Sequence, residues 1–420
     1  MLTPPDGALG GLDPDALFAQ ISDADTIGLA VSGGADSLAL MVLYAAWKPS
    51  RRKPDAIVYS VDHRLRRAAR DEVEMVAACA RRLGLPVRTL AWEAPRPKSG
   101  VQAGARAARY RLIGEAMARD GASVLLTAHH RRDQAETVLM RLAHASGVSG
   151  LGAMRDFASV HGVALYRPLL DVDPDVLATV AARAKMVPAR DPSNADPAYE
   201  RTRWRNALPA LAALGLTEQR LTQAAARMRR VDDLARAVTR DLLRAHASLD
   251  ALGAVTIDRM ALSVAHEETV IRVLAAALGV TTGTAPRALG KLETLAVQIM
   301  DGQVGATTVS GARLVMRNDL VIVHREAARI DRTPIAVEPG QRLTWDGRFT
   351  IGAAPQVLRI VPGHAMTRAQ FETLTGHRLG APVAALRAAP VIEDANGAIV
   401  AIGAHVISSD IEIGQPALTC

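Results

Sequence analysis

Ala30-Val31-Ser32-Gly33-Gly34-Ala35-Asp36-Ser37 joins two apolar runs of different character. Before it, Thr26 to Val31 is a short apolar segment, the pattern of a buried parallel strand. After it, Leu38, Ala39, Leu40, Met41, Leu43 and Tyr44 form an apolar-rich run without Gly or Pro, which predicts a helix. The loop therefore lies where a strand turns into a helix. Its glycines permit dihedrals that other residues avoid and let a ligand approach the main chain closely. The helix points free N–H groups and the positive end of its dipole at whatever fills the turn. Ser32 and Ser37 add hydroxyls, and Asp36 adds a carboxylate. The combination reads as a phosphate cradle with an acid beside it, which makes sense if a divalent cation shares the site.

A Gly-rich turn with a serine cap is the simpler account of Ser-Gly-Gly alone. The whole string S-G-G-x-D-S after an apolar strand is more specific. It is not a Walker loop, which needs G-x-x-x-x-G-K-[ST], nor the dinucleotide fingerprint G-x-G-x-x-G. It resembles the pyrophosphatase loop of enzymes that split ATP between the α and β phosphates. In that superfamily AMP is joined to a substrate oxygen, pyrophosphate leaves, and a nucleophile then displaces AMP.

At 420 residues the chain has room for two or three domains. Apolar residues make up 49% but aromatics only 3%, so the cores must be built mainly from Ala, Leu and Val. Met1 to Asp15 carries acids and prolines instead of a basic apolar run, so no secretory signal is expected. No 18-residue apolar stretch predicts a membrane span. Cys79 and Cys420 form no C-x-x-C and no disulfide framework, which fits a cytoplasmic enzyme. The net charge is +7, and residues 51–119 alone hold 16 Lys/Arg against 7 Asp/Glu. Clustered arginine is the footprint of phosphate or nucleic-acid binding; a genome that writes Arg at many surface positions gives the same count.

Along the chain, strands are predicted at Ala56–Val61, Val87–Trp92 and Ser123–Thr127, alternating with helices at 71–83, 101–119 and from about Asp133. That alternation predicts a doubly wound parallel sheet, an α/β fold. Such sheets bind ligands beyond the carboxyl ends of their strands. The glycine loop follows the first strand, Asp62-His63 the second and His129-His130 the fourth, so three polar clusters converge on one edge. Each has a plainer account. His63 also fits a surface residue leaving a strand. Of His129 and His130, neighbours in a strand point to opposite faces, so one is packed and one functional. Asp133 and Glu136 fit a capping box. Arg106 and Arg109 share a helix face and suit either a phosphate clamp or solvent.

Together these motifs resemble the tRNA(Ile)-lysidine synthetase family in order and spacing. The resemblance rests on Ser32–Ser37, Val61-Asp62-His63-Arg64-Leu65-Arg66, Ala105-Arg106-Ala107-Ala108-Arg109-Tyr110 and His129–Thr137. It continues through Ser146-Gly147, Gly150-Leu151, Arg167-Pro168-Leu169-Leu170, Asp191-Pro192-Ser193-Asn194 and Tyr199-Glu200-Arg201. It implies a Rossmann-like PP-loop ATPase domain that uses ATP and Mg²⁺ to join free L-lysine to C2 of the wobble cytidine in the CAU anticodon of an isoleucine tRNA. Members are often dimers, so a homodimer is implied as well. Carried over residue by residue, ATP binding falls to Ser32, Gly33, Gly34, Ala35, Asp36, Ser37, His63, Arg106 and Arg109. Catalysis falls to Asp36, His130 and Asp133, the metal to Asp36, and RNA contact to Arg201, Arg203 and Arg205. Two positions depart from the family pattern. Two acids usually precede Gln-Ala-Glu-Thr, and here the first of those positions is Arg132, leaving Asp133 alone; Thr202 follows Arg201 where the family has Asn.

The expected domains are 1–215 catalytic, 216–304 helical and tRNA-contacting, and 305–420 mixed, strand-rich and tRNA-selecting. A long helix from Glu218 to about Ala247 and a hairpin around Arg317-Asn318-Asp319 mark the last two. Other readings are a tRNA thiolase or small-molecule amide ligase of the same superfamily, or a tRNA-binding module without chemistry. A thiolase wants reactive cysteines, and neither Cys79 nor Cys420 is placed for that.

Overall fold

The computed structural model describes residues 9–47, 53–64, 68–93, 101–189, 196–286, 289–352, 355–407 and 411–418. The chain forms two compact units, Met1–Asp232 and Asp233–Cys420.

In the first unit, elements alternate as expected. They run α1 (Pro14–Phe18), β1 (Thr26–Ala30), α2 (Ala35–Ala46), β2 (Asp55–Asp62), α3 (Ala68–Arg82), β3 (Val87–Ala91), α4 (Val101–Asp120), β4 (Val124–Leu126) and α5 (Arg131–Ala143). There follow α6 (Val148–Leu151), β5 (Phe157–Val160), β6 (Val163–Tyr166), α7 (Pro174–Arg183), α8 (Glu200–Ala213) and α9 (Glu218–His246), the last continuing past Asp232. The strands order as β3-β2-β1-β4-β6-β5. All neighbours are parallel except the edge pair β5 and β6, a hairpin absent from the sequence reading. The order in which successive strands are added reverses between β1 and β4, the switch point at which such sheets open a crevice.

The sheet is buried from both sides, which explains the continuous apolar runs. Ile27 and Leu29 of β1, Leu38 to Tyr44 of α2, and Leu177 and Val180 of α7 fill one core. Tyr59, Tyr110, Ile113 and Leu125 fill the opposite one beneath α4. Gly28 lies in the middle of β1 because a Cβ there would stand 2.9 Å from both Leu125 Cδ1 and Tyr59 Cε2. A third core seats α5 on α8 and α9 through Ala135, Leu139, Leu208, Leu221 and Ala225.

The second unit continues with β7 (Ala247–Leu249), β8 (Val255–Asp258), α10 (Arg259–Ser263), α11 (Glu267–Thr282), α12 (Leu289–Met300), β9 (Gly305–Val309), β10 (Ala312–Met316) and β11 (Leu320–Arg325). Strands β7-β8-β11-β10-β9 form one antiparallel sheet, covered by α11 and α12. The expected hairpin around Arg317–Asp319 is β10–β11. The expected division at 304/305 falls inside this sheet, because Val255 and Ile257 of β8 bury together with Val321 and Val323 of β11. Two short strands within an otherwise helical stretch carry too little alternation to be read in advance. The remaining elements are β12 (Ile335–Val337), β13 (Leu343–Trp345), β14 (Phe349–Ile351), β15 (Leu358–Pro362), α13 (Arg368–Thr375), α14 (Val383–Leu386), β16 (Pro390–Glu393), β17 (Ile399–Ile402), β18 (His405–Val406) and β19 (Ile413–Gly414). They build a five-stranded sheet, β12-β15-β16-β17-β18, and a three-stranded one, β13-β14-β19. No helix among the described residues is long and apolar enough to cross a membrane.

Candidate active site

The carboxyl ends of β1, β2 and β4 open onto a cavity of about 340 Å³. Its wall includes Ser32, Gly34, Asp36 and Ser37 from the glycine loop, Arg106 and Arg109 from α4, His129 and Asp133 after β4, and Arg201 and Arg205 from α8. Segments far apart in sequence thus meet at the switch point of one sheet.

The loop's shape follows from its residues. Gly33 has φ +90°, a left-handed conformation that suits glycine. It is pressed from behind by α3, where a Cβ would stand 3.1 Å from Met75 Cε. Its carbonyl accepts the Ala189 N–H at 3.0 Å. Gly34 opens α2 without a side-chain cap, leaving N–H groups of the first turn free for an anion. Ser37 shapes the loop more than it faces the cavity: its hydroxyl donates to Gly34 O at 2.9 Å and accepts from Ser32 N at 3.2 Å.

Opposite the loop, His130 is the N-cap of α5, with Asp133 as its box partner. Its N–H donates to Asp133 Oδ2 at 3.2 Å, and Asp133 N–H donates to His130 Nδ1 at 3.4 Å. This corrects the expected box of Asp133 with Glu136. His130 already has the extended backbone of a cap, and Asp133 falls inside the helix. His130 Nε2 lies 3.6 Å from Asp36 Oδ2 and 3.5 Å from Asp133 Oδ2. Burial pulls its pKa down, but Asp36, Asp133 and Glu136 outweigh that and raise it. The imidazole therefore links the loop acid to the helix acid. His129 is the histidine that lines the cavity. Its Nδ1 shares a hydrogen bond of 2.9 Å with Thr127 Oγ1. Burial, with Arg167, Arg106 and Arg201 against the pull of Asp133, brings its pKa down to about 4. Of the expected packed-and-functional pair, it is His129 that faces the cavity and His130 that is packed, the reverse of the expected assignment; the place of His129 one residue past Ala128 is its only signal in the sequence.

His63 stands just beyond β2 and is absent from the cavity lining. Its Nε2 accepts from Arg109 Nε at 3.2 Å and lies 3.0 Å from Arg109 Nη2. Arg106 lies over the Tyr110 ring, 5.2 Å from its centroid. Of the three arginines expected to touch RNA, Arg201 and Arg205 point into the cavity around Glu136, which is fully buried. Arg205 Nε donates to Glu136 Oε1 at 2.6 Å, and Arg201 Nε lies 3.2 Å from Oε2. Burial pushes the Glu136 carboxyl up, against the downward pull of both arginines. Arg203 turns elsewhere, donating to Pro197 O and Ala198 O at 3.2 and 3.1 Å. Asp191–Asn194 lies outside the described residues.

The cavity thus pairs an anion-receiving loop and arginines with two carboxylates, the equipment of a nucleotide-phosphate site. Residues 14–211 match the PP-loop domain family. The tRNA(Ile)-lysidine synthase of Rhodopseudomonas palustris is 44% identical over 291 residues, 69% of this chain and 84% of that protein. The chain belongs to the tRNA(Ile)-lysidine synthase family. The lysidine synthase of Bradyrhizobium diazoefficiens is 40% identical over 342 residues, 79% of this chain and 94% of that protein. Among solved structures, a U34-tRNA thiolase from Methanococcus maripaludis covers 51% of this chain and 76% of its own at 14% identity and a TM-score of 0.43, too distant to bear on function.

Within the lysidine synthase family, the structure gives each departing residue a place. Arg132 points away from the cavity: its Nε donates to Glu218 Oε1 at 2.7 Å, and its Nη2 lies 3.6 Å from Asp175 Oδ1. It joins α5 to the start of α9 and to α7, leaving Asp133 as the acid on the cavity side. Thr202 is buried in α8, between the cavity-facing Arg201 and the outward Arg203.

Proposed function

We propose that the protein ligates lysine to C2 of the wobble cytidine of an isoleucine tRNA with a CAU anticodon, consuming ATP and releasing AMP and pyrophosphate. The observation that carries this reading is the convergence of the glycine loop, Arg109, Asp133 and Arg201 on one cavity at the sheet's switch point. In a first step the cytidine O2 attacks the α-phosphorus of ATP, and pyrophosphate leaves toward the loop. The free N–H groups of α2, with Arg106 and Arg109, offset the charge that develops on the phosphates. In the second step the neutral lysine amine attacks the activated C2 and expels AMP. Asp133, which lines the cavity, is the candidate to take the amine's proton; His130, whose Nδ1 accepts the Asp133 N–H and whose Nε2 faces both acids, holds it in place instead of serving as the base expected from the sequence.

The donors present suit Mg²⁺. Asp36 and Asp133 are hard oxygen ligands facing one cavity, and Mg²⁺ commonly binds one or two carboxylates plus substrate phosphates. Asp36, with Asp133 opposite, would hold the ion, which supplies charge neutralisation at the phosphates.

In this reading the helices and strands after about residue 216 contact and select the tRNA, the assembly is a homodimer as the family resemblance implies, and the enzyme works in the cytoplasm. The test is incorporation of labelled lysine into purified tRNA by Asp36→Asn and Ser37→Ala. Both variants are expected to lose incorporation; unchanged incorporation removes the loop from the chemistry.

A further inference from the structure

His63 was expected to touch the nucleotide, yet it does not line the cavity. What it touches is Arg109. Both guanidinium nitrogens that approach its Nε2 can only donate, so Nε2 must carry the lone pair and Nδ1 the proton. That Nδ1 is buried and has no partner among the described residues. The ring is fixed from other sides as well. Trp92 meets it edge-on at 6.5 Å between centroids. Asp62, the residue before it, accepts the Trp92 N–H at its carbonyl and the Arg64 N–H at its carboxylate. Burial, then Arg109, hold the imidazole neutral, its pKa brought down to about 4.

Arg109, for its part, is a cation brought into a low-dielectric wall. Burial lowers its pKa. No carboxylate pairs with it among the described residues, whereas Arg201 and Arg205 in the same wall share Glu136. A guanidinium held by a neutral acceptor on one edge keeps its full charge and its remaining donors for an anion on the other.

We infer that His63 is a positioning residue: its Nε2 lone pair fixes the Arg109 guanidinium so that the free donors face a phosphate of ATP across from the glycine loop. A carboxylate at position 63 would hold Arg109 equally well but would neutralise it; an imidazole holds it without competing with the phosphate. This inference rests on ATP occupying the cavity, as proposed above.

The test is a double-mutant cycle read as KM for ATP and as direct ATP binding by calorimetry. His63→Leu and Arg109→Ala are each expected to weaken ATP binding about tenfold or more, the scale of a charge-assisted hydrogen bond. The double variant is expected to be no weaker than Arg109→Ala alone. His63→Gln places an acceptor oxygen near the Nε2 position and should restore most of the affinity; His63→Asn, too short to reach Arg109, should not. If the two losses multiply, or if Gln and Asn behave alike, His63 does not act through Arg109. Should His63→Leu fail to fold, His63→Asn takes its place in the cycle. Absence of ATP binding by the unmodified protein would instead overturn the parent reading of the cavity.

Discussion

Asp36 lies where the loop meets the cavity, 3.6 Å from His130. Asp36→Asn removes a charge from a site built to balance phosphates, so lysine incorporation should fall by about 100-fold or more with folding intact. Glu136 plays a different part. It is buried beneath Arg201 and Arg205, and Glu136→Ala would leave two guanidinium groups without their shared anion. Urea unfolding should show a loss of about 2–3 kcal/mol; a loss under 0.5 kcal/mol would mean that the arginines do not depend on it. Both residues stand in motifs that were visible in the sequence, but only Asp36 declared its role. Glu136 has a helical neighbour at Asp133 that satisfied a local capping pattern, and its true partners lie some 65–70 residues away on α8. Pair partners at that separation leave no local spacing to read. The same holds for Arg132, whose outward turn is decided by Glu218.

The strand–loop–helix unit β1–loop–α2 was the most legible element, because glycine, serine and acid each had a physical reason to stand there. Its cost in tolerance can be measured. Gly33→Ala puts a Cβ at φ +90° and 3.1 Å from Met75 Cε. It should destabilise the protein by about 1–2 kcal/mol and impair ATP binding, since the loop must shift. Gly28→Val should cost about 2 kcal/mol or more, because β1 has no room between Leu125 and Tyr59. Thermal or urea unfolding checks both, and a Gly28→Val variant as stable as the original would contradict the packing described. Elements that depend on distant pairing were less legible. The hairpin β5–β6 closes the sheet edge only because β6 finds β4, and β8 is a strand only because β11 accepts it.

For the first unit as a whole, the convergence of polar segments on one sheet edge was predictable from the alternation of strands and helices, since parallel strands deliver their loops to the same side. The convergence also sets its acid stability. His63 is neutral when folded, with a pKa near 4, but takes a proton near its ordinary 6.5 when unfolded. The unfolded chain thus binds more protons below pH 6.5, so stability should fall as pH drops from there toward 4. His63→Gln should show a shallower fall over that window in urea titrations, and an identical slope would contradict the neutral imidazole. The roles of the second unit were not legible in the same way, because the sequence of its strand-rich portion shows no catalytic constellation to read. The central claim is that one cavity couples ATP cleavage to a tRNA base and lysine. It is tested most directly by incubating the protein with ATP, Mg²⁺, lysine and bulk tRNA and measuring AMP. The account predicts AMP release that requires both lysine and tRNA; AMP formed at the same rate when either is omitted, or none formed with all present, would contradict it.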